Sequence, residues 1–258
     1  MTIRGLCFDA TGTLFETRES IGTVYSRAAL AAGVKLPAWR LDDAFRRVLR
    51  HGPGLAAAGA AGATQAEREA AELAWWRDRV RQTFQATDST VRFADPEALF
   101  RSLFDHYRHA EAWQVRPGVR PLLTRLRREG YRLGVASNFD HRLPEILEAL
   151  ELNDFFEARS IPSTNGLSKP DRGVFAGLAA ALGLRLEELA YVGDDAPEVL
   201  EAIAGHGLRV FDVRTLPDLE ALGDRLAAAP APDARAEAAK LASSAAPPSP
   251  ARPGAEEE

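Results

Sequence analysis

Four short stretches of this chain carry the kinds of side chain that handle an anion. The first supplies Asp9, Thr11 and Thr13, on either side of Gly12. Next comes Ser137-Asn138, and then Ser168-Lys169-Pro170-Asp171. Gly193-Asp194-Asp195, with Glu198 close behind, is the last. Each alone is weak, because Ser-Asn and Asp-Asp pairs are also common turn and cap residues. All four, in this order and each at a strand or loop end, point to one shared pocket. Lys169 adds weight: lysine stands only at positions 35, 169 and 240, against 29 arginines. Its retention suggests a need for a compact ammonium, although a loop cation is the alternative.

The elements that must position these groups follow from apolar patterning. Residues 3–8 read as a short buried strand. An aspartate at its carboxyl end either caps the turn or faces the crevice where open α/β sheets bind ligands. From Phe15 the pattern is helical. Stripes run over Ile21-Val24-Tyr25-Ala28, Leu41-Phe45-Val48-Leu49, Leu73-Trp76-Val80-Phe84 and Leu99-Phe100-Leu103-Phe104-Tyr107. The Gly/Ala-rich residues 52–63 read as a loop, and Asp95-Pro96 as a helix start. Trp75 and Trp76 read as helical core rather than as cofactor contacts.

From Trp113 onward strands and helices alternate. Helices are expected near 119–129, 143–150, 172–182, 196–204 and 218–228, and strands near 131–136, 155–161, 190–192 and 208–211. That alternation predicts an α/β fold, a Rossmann-like parallel sheet with helices on both faces. An all-helical insert follows the first strand. The expected division is a core of residues 1–14 and 114–228, an insert of 15–113, and a disordered Ala/Pro/Glu-rich tail of 229–258.

Bulk properties narrow the function classes. With 258 residues there is ample material for one large domain and a smaller lobe. A net charge of −5 offers no basic field for nucleic acid or an acidic membrane surface. The single cysteine, Cys7, permits no intrachain disulfide and fits a reducing cytoplasm. Neither a signal peptide nor a membrane span is readable. The expected partner is a small anionic molecule, with oligomeric state open.

In the order and type of these four stretches the chain resembles the haloacid dehalogenase (HAD) superfamily of phosphatases, phosphonatases and dehalogenases. Trp75-Trp76, Trp113-Gln114-Val115 and Ser137-Asn138-Phe139-Asp140 resemble its branch of haloacid dehalogenase-like hydrolase domain-containing protein 3. The resemblance covers residues 3–213 and implies that the insert is a cap. It also implies roles. Asp9 would be the nucleophile, forming an aspartyl ester that water hydrolyses. Thr13 and Lys169 would be further catalytic residues, and Ser137 and Asn138 would bind substrate oxygens. Asp9, the Thr11 carbonyl and Asp194 would hold Mg²⁺ in an oxygen-rich shell. Asp195 and Glu198 would support that shell, or simply start the following helix.

The chain departs from the family pattern at Thr11, where phosphatases usually carry the aspartate that protonates the leaving oxygen. Losing general acid catalysis costs ~10²–10⁴-fold. Three readings follow. One is a Mg²⁺-dependent phosphohydrolase limited to good leaving groups or given an acid by His51, His106, His109 or Glu111. Another is a metal-independent 2-haloacid dehalogenase, whose halide leaves unprotonated, although Asp194 and Asp195 then replace a neutral Ser and Asn. The remaining one is a binding module with little turnover.

Overall fold

A computed structural model describes residues 2–55 and 62–227. The chain opens with β1 (Gly5–Phe8) and β2 (Phe15–Thr17). Four helices follow: α1 (Ile21–Ala31), α2 (Ala38–His51), α3 (Gln65–Thr87) and α4 (Pro96–His106). Then come β3 (Trp113–Val115), α5 (Val119–Arg128), β4 (Arg132–Ala136), α6 (Leu143–Ala149) and β5 (Ala158–Ser160). A short α7 (Pro162–Asn165) leads to α8 (Arg172–Ala181), β6 (Leu189–Gly193), α9 (Pro197–Gly205), β7 (Arg209–Asp212) and α10 (Ala221–Ala227).

Five strands form one parallel sheet in the order β5-β4-β1-β6-β7. β1 is central: Phe8 pairs with Val135 on one side and Val192 on the other. The chain builds outward through β4 and β5, then returns to β6 and β7 across β1. The reversal leaves the binding crevice of such sheets at the carboxyl end of β1. Every residue of β1 and β6 is buried, as expected of strands covered on both faces. The expected Rossmann-like α/β core is present.

Side chains alternate between the two faces. Leu6 and Phe8 join an apolar cluster with Leu122 and Leu126 of α5 and Ile146 of α6. That cluster continues into the helical insert through Tyr25, Val80, Phe84 and Leu103. Cys7 and Tyr191 point to the opposite face, among Val174, Phe175 and Leu178 of α8 and Ile203 of α9.

The four expected helical stripes appear as α1 to α4, and α4 starts where Asp95-Pro96 placed it. Asp95 accepts a hydrogen bond from the Ala98 backbone N at 2.9 Å, with Pro96 at the first helical position. The insert is not wholly helical, however. Its ends are β2 and β3, an antiparallel ribbon pairing Phe15 with Val115 and Thr17 with Trp113. Strands of three residues are too short to show a readable alternation. Arg18 reinforces the closure, donating to the carbonyls of Glu111 at 3.2 Å and Trp113 at 3.0 Å. Residues 56–61 of the expected loop and the whole expected tail, 229–258, lie outside the described residues. No described helix is long and apolar enough to cross a membrane.

Candidate active site

Asp9 is the first residue beyond β1, and its backbone N donates to the Val192 carbonyl at 2.8 Å. By alternation its side chain leaves the sheet on the same face as Cys7 and Tyr191. Lys169 reaches it there, from the loop between α7 and α8. The Lys169 Nζ donates to Asp9 Oδ1 at 2.6 Å, to the Tyr191 hydroxyl at 2.7 Å and to Asp195 Oδ2 at 2.9 Å. Lys169 is buried, so it is not a loop cation in solvent. The Asp9 side chain is only 11% exposed, and Oδ2 has no hydrogen bond among the described residues.

Asn138 fixes the Lys169 loop. Its Oδ1 accepts from the Lys169 backbone N at 2.7 Å, and its Nδ2 donates to the Lys169 carbonyl at 3.1 Å. Oδ1 and one of the two amide N–H groups are thus engaged with that loop. Ser137 is buried at the end of β4 and accepts from the Phe139 backbone N at 3.3 Å.

The two acids after β6 face different partners. Asp195 takes bonds from Lys169 and from the Tyr191 hydroxyl. Asp194 faces the loop after β1 instead, where Thr13 Oγ1 donates to its Oδ1 at 3.4 Å. Gly12, at φ +86°, lets that loop turn under the Asp194 carboxylate. Arg116, just after β3, donates to the Gly12 carbonyl and ties the loop to the insert's closing ribbon. Thr11 is exposed on this turn.

Asp9, Thr13, Lys169, Asp194 and Asp195 are thus gathered, with Asn138 and Ser137 beside them. Glu198 is not: it is exposed in the first turn of α9 and makes no hydrogen bond to the cluster. The first turn of a helix favours an acid for its own sake, which accounts for its place there. Among the expected replacement acids, His51 ends α2, His106 and His109 flank the end of α4, and Glu111 precedes β3. None hydrogen-bonds to Asp9, Lys169 or Asp194 in the described structure.

Charge in this cluster is unbalanced, three carboxylates against one ammonium. Burial pushes the Asp9 carboxyl above the usual carboxylate range, against the stabilising charge and hydrogen bond of Lys169, and the Asp195 and Asp194 carboxylates add smaller upward pushes. Burial likewise raises Asp194, with Asp195 adding to it. Burial opposes the charge of Lys169, yet Asp9 and Asp195 hold its ammonium above the ordinary lysine value. The upward shift of Lys169 shows that the surrounding carboxylates hold a positive charge within this buried cluster. No three His, Cys, Asp or Glu side chains among the described residues form a ready cage for a metal.

The loop after β4 also grips the helical insert. Asp140 is fully buried and pairs with Arg142 at 2.6 Å, while Trp76 Nε1 of α3 donates to Asp140 Oδ2 at 2.7 Å. Arg142 donates to the Phe104 carbonyl at 2.7 Å, with its guanidinium 3.7 Å from the centroid of the Phe104 ring. Glu72 Oε2 accepts from the His141 backbone N at 3.0 Å and lies 2.9 Å from its ring Nδ1. Sequence patterning placed Trp76 in the core but gave no sign of its polar partner, 64 positions away.

A model of haloacid dehalogenase-like hydrolases matches residues 3–207. The chain belongs to this family of hydrolases. It is 31% identical over 202 residues to human haloacid dehalogenase-like hydrolase domain-containing protein 3, covering 76% of this chain and 75% of that protein. Its fold is similar to that of the HAD hydrolase YfnB of Bacillus subtilis, solved bound to magnesium (TM-score 0.66, 17% identity, 88% and 100% of the two chains). A dehalogenase solved with an intermediate complex also matches (TM-score 0.55, 18% identity, 86% and 90%). Identities this low concern the fold alone, and HAD-like chemistry must be argued from the site.

Proposed function

We propose that this HAD-like hydrolase is a Mg²⁺-dependent phosphohydrolase that acts through an aspartyl-phosphate on small phosphorylated metabolites. The observation that carries this reading is the excess of carboxylate over ammonium at Asp9, Asp194 and Asp195. A divalent cation fits that excess. Asp9 Oδ2, Asp194 and the Thr11 carbonyl are hard oxygen donors, and too few to cage an ion without water. Two carboxylates completed by water are the habit of Mg²⁺, whereas structural Zn²⁺ takes a full set of protein ligands. Once bound, the cation neutralises charge on the transferring phosphoryl group.

This chain's own residues do the rest. Lys169 orients the Asp9 carboxylate through its bond to Oδ1, and the Asp9 oxygen not given to the cation attacks phosphorus. The P–O bond to the leaving group breaks and the phosphoryl group moves to Asp9. Water then attacks that phosphorus, the aspartyl P–O bond breaks, and free phosphate leaves with the carboxylate restored. Lys169, the Ser137 hydroxyl and the Asn138 backbone N–H oppose the charge on the phosphoryl oxygens.

Thr11 supplies no acidic proton, so substrates whose leaving groups depart as anions are favoured: acyl and aryl phosphates over alkyl phosphates. The same threonine supports a second reading, 2-haloacid dehalogenation, since halide needs no proton. That metal-independent reaction sets a carboxylate substrate against three carboxylates with no cation between them, so the phosphohydrolase is preferred. Acetyl phosphate and 4-nitrophenyl phosphate with Mg²⁺, beside 2-chloropropionate without it, separate the two. Chloride release that is indifferent to EDTA would favour the dehalogenase.

A further inference from the structure

We propose that Tyr191 is a positioning residue: its hydroxyl bridges Lys169 and Asp195, fixing the ammonium at Asp9 and holding Asp195 away from the Gly12 loop. The phenol sits in β6 with no solvent exposure. Its ring meets Phe175 edge-on, with centroids 5.6 Å apart, and its backbone is in register with Cys7 of the central strand. Such a ring has no freedom to swing, so its oxygen is a fixed point.

That oxygen carries two bonds. It accepts from Lys169 Nζ at 2.7 Å and donates its only proton to Asp195 Oδ2. An ammonium has three N–H groups, and Lys169 gives them to Asp9, Tyr191 and Asp195. With all three engaged, Lys169 has one orientation. Asp195 is engaged from two directions, which leaves Asp194 as the acid facing Gly12 and Thr13. A buried tyrosine must find a partner for its O–H somewhere. Here both partners are groups of the reaction site, from a strand whose other side chains only pack.

The scarcity of lysine makes a direct test available. Reductive methylation with formaldehyde and dimethylamine–borane, read by peptide mass spectrometry, reports Lys169 against exposed Lys35 in the same molecule. In the native chain Lys169 is expected to lag Lys35 strongly. In Tyr191→Phe, which keeps the ring, Lys169 methylation should accelerate about tenfold, and kcat on an aryl phosphate should fall roughly 10- to 100-fold with KM within about threefold. Undiminished protection of Lys169 in a folded variant overturns the proposal, whatever happens to kcat. If Tyr191→Phe does not fold, Asp195→Ala removes the acceptor and cuts the same bridge outside the apolar core. It should expose Lys169 likewise, and continued protection is again fatal. Only the kinetic arm rests on the phosphohydrolase reading. Faster methylation in a protein without phosphatase activity would refute that reading and leave the role of Tyr191 standing.

Discussion

Asp194 Oδ2 occupies the space that a Cβ on Gly12 would need. The turn after β1 and the acid after β6 are therefore shaped to each other, and Gly12 is also at positive φ. Gly12→Ala should push Asp194 out of place and strain the turn, at a cost of roughly 1–3 kcal/mol. The expected result is a lower melting temperature together with a higher Mg²⁺ concentration for half-maximal activity. An unchanged Mg²⁺ requirement would separate the turn from the cation site.

Asp194→Asn should stabilise the metal-free protein while removing its activity. The Asp194 carboxyl titrates higher in the fold than in the unfolded chain. The folded state thus keeps a proton that the unfolded chain has released, and stability falls as pH rises through the folded value. Removing the charge should raise Tm at pH 7, without Mg²⁺, by on the order of 2 °C. The gain should vanish below about pH 4, where both states are protonated. A lower Tm at neutral pH would mean that the charge excess has been misread.

The grip between Glu72 and His141 carries its own pH signature. The Glu72 hydrogen bond raises the His141 pKa against the opposing effect of burial, with Asp140 and Glu69 adding to it. A raised histidine contributes stability that is complete below about pH 6.5 and lost as pH climbs through the folded value. The Tm difference between the native protein and Glu72→Gln should therefore be largest near pH 5.5, roughly 2–4 °C, and shrink by pH 8.5. Thermal melts across that range check it, and a difference that does not vary with pH would refute it.

Strand-end logic made much of the site legible. Asp9, Lys169 and Asp194 are short-range events, each an unusual polar residue directly after an apolar run or within a turn. Their convergence follows from the order of a parallel sheet. Tyr191 was not legible, because in a strand buried on both faces every residue looks like packing, and only the three-dimensional register shows where its hydroxyl ends. The β2–β3 ribbon was hidden by its three-residue strands. Asn138 was placed at the site, but its grip on the Lys169 backbone depends on a loop 31 positions away. For Glu198 the sequence left two roles open, and its exposed place in the first turn of α9 matches the helix-start role.

The proposed lack of a leaving-group acid at Thr11 makes restoring a carboxylic acid there informative. The position is exposed and on the turn beside Asp9, so an aspartate can be accommodated without displacing buried groups. Thr11→Asp should raise kcat most for alkyl phosphates, whose leaving oxygen needs the proton, and little for 4-nitrophenyl phosphate. Equal gains on both substrates, or none in a folded protein with Mg²⁺, would show that protonation is not the missing step.

The central claim is that Asp9 attacks phosphorus in a site completed by a divalent cation. Phosphate release from 4-nitrophenyl phosphate tests it most directly, measured for the native protein with Mg²⁺, the same protein in EDTA, and Asp9→Asn with Mg²⁺. Turnover in the first and loss in the other two is the predicted pattern. Turnover that survives EDTA, or that survives Asp9→Asn, would contradict it.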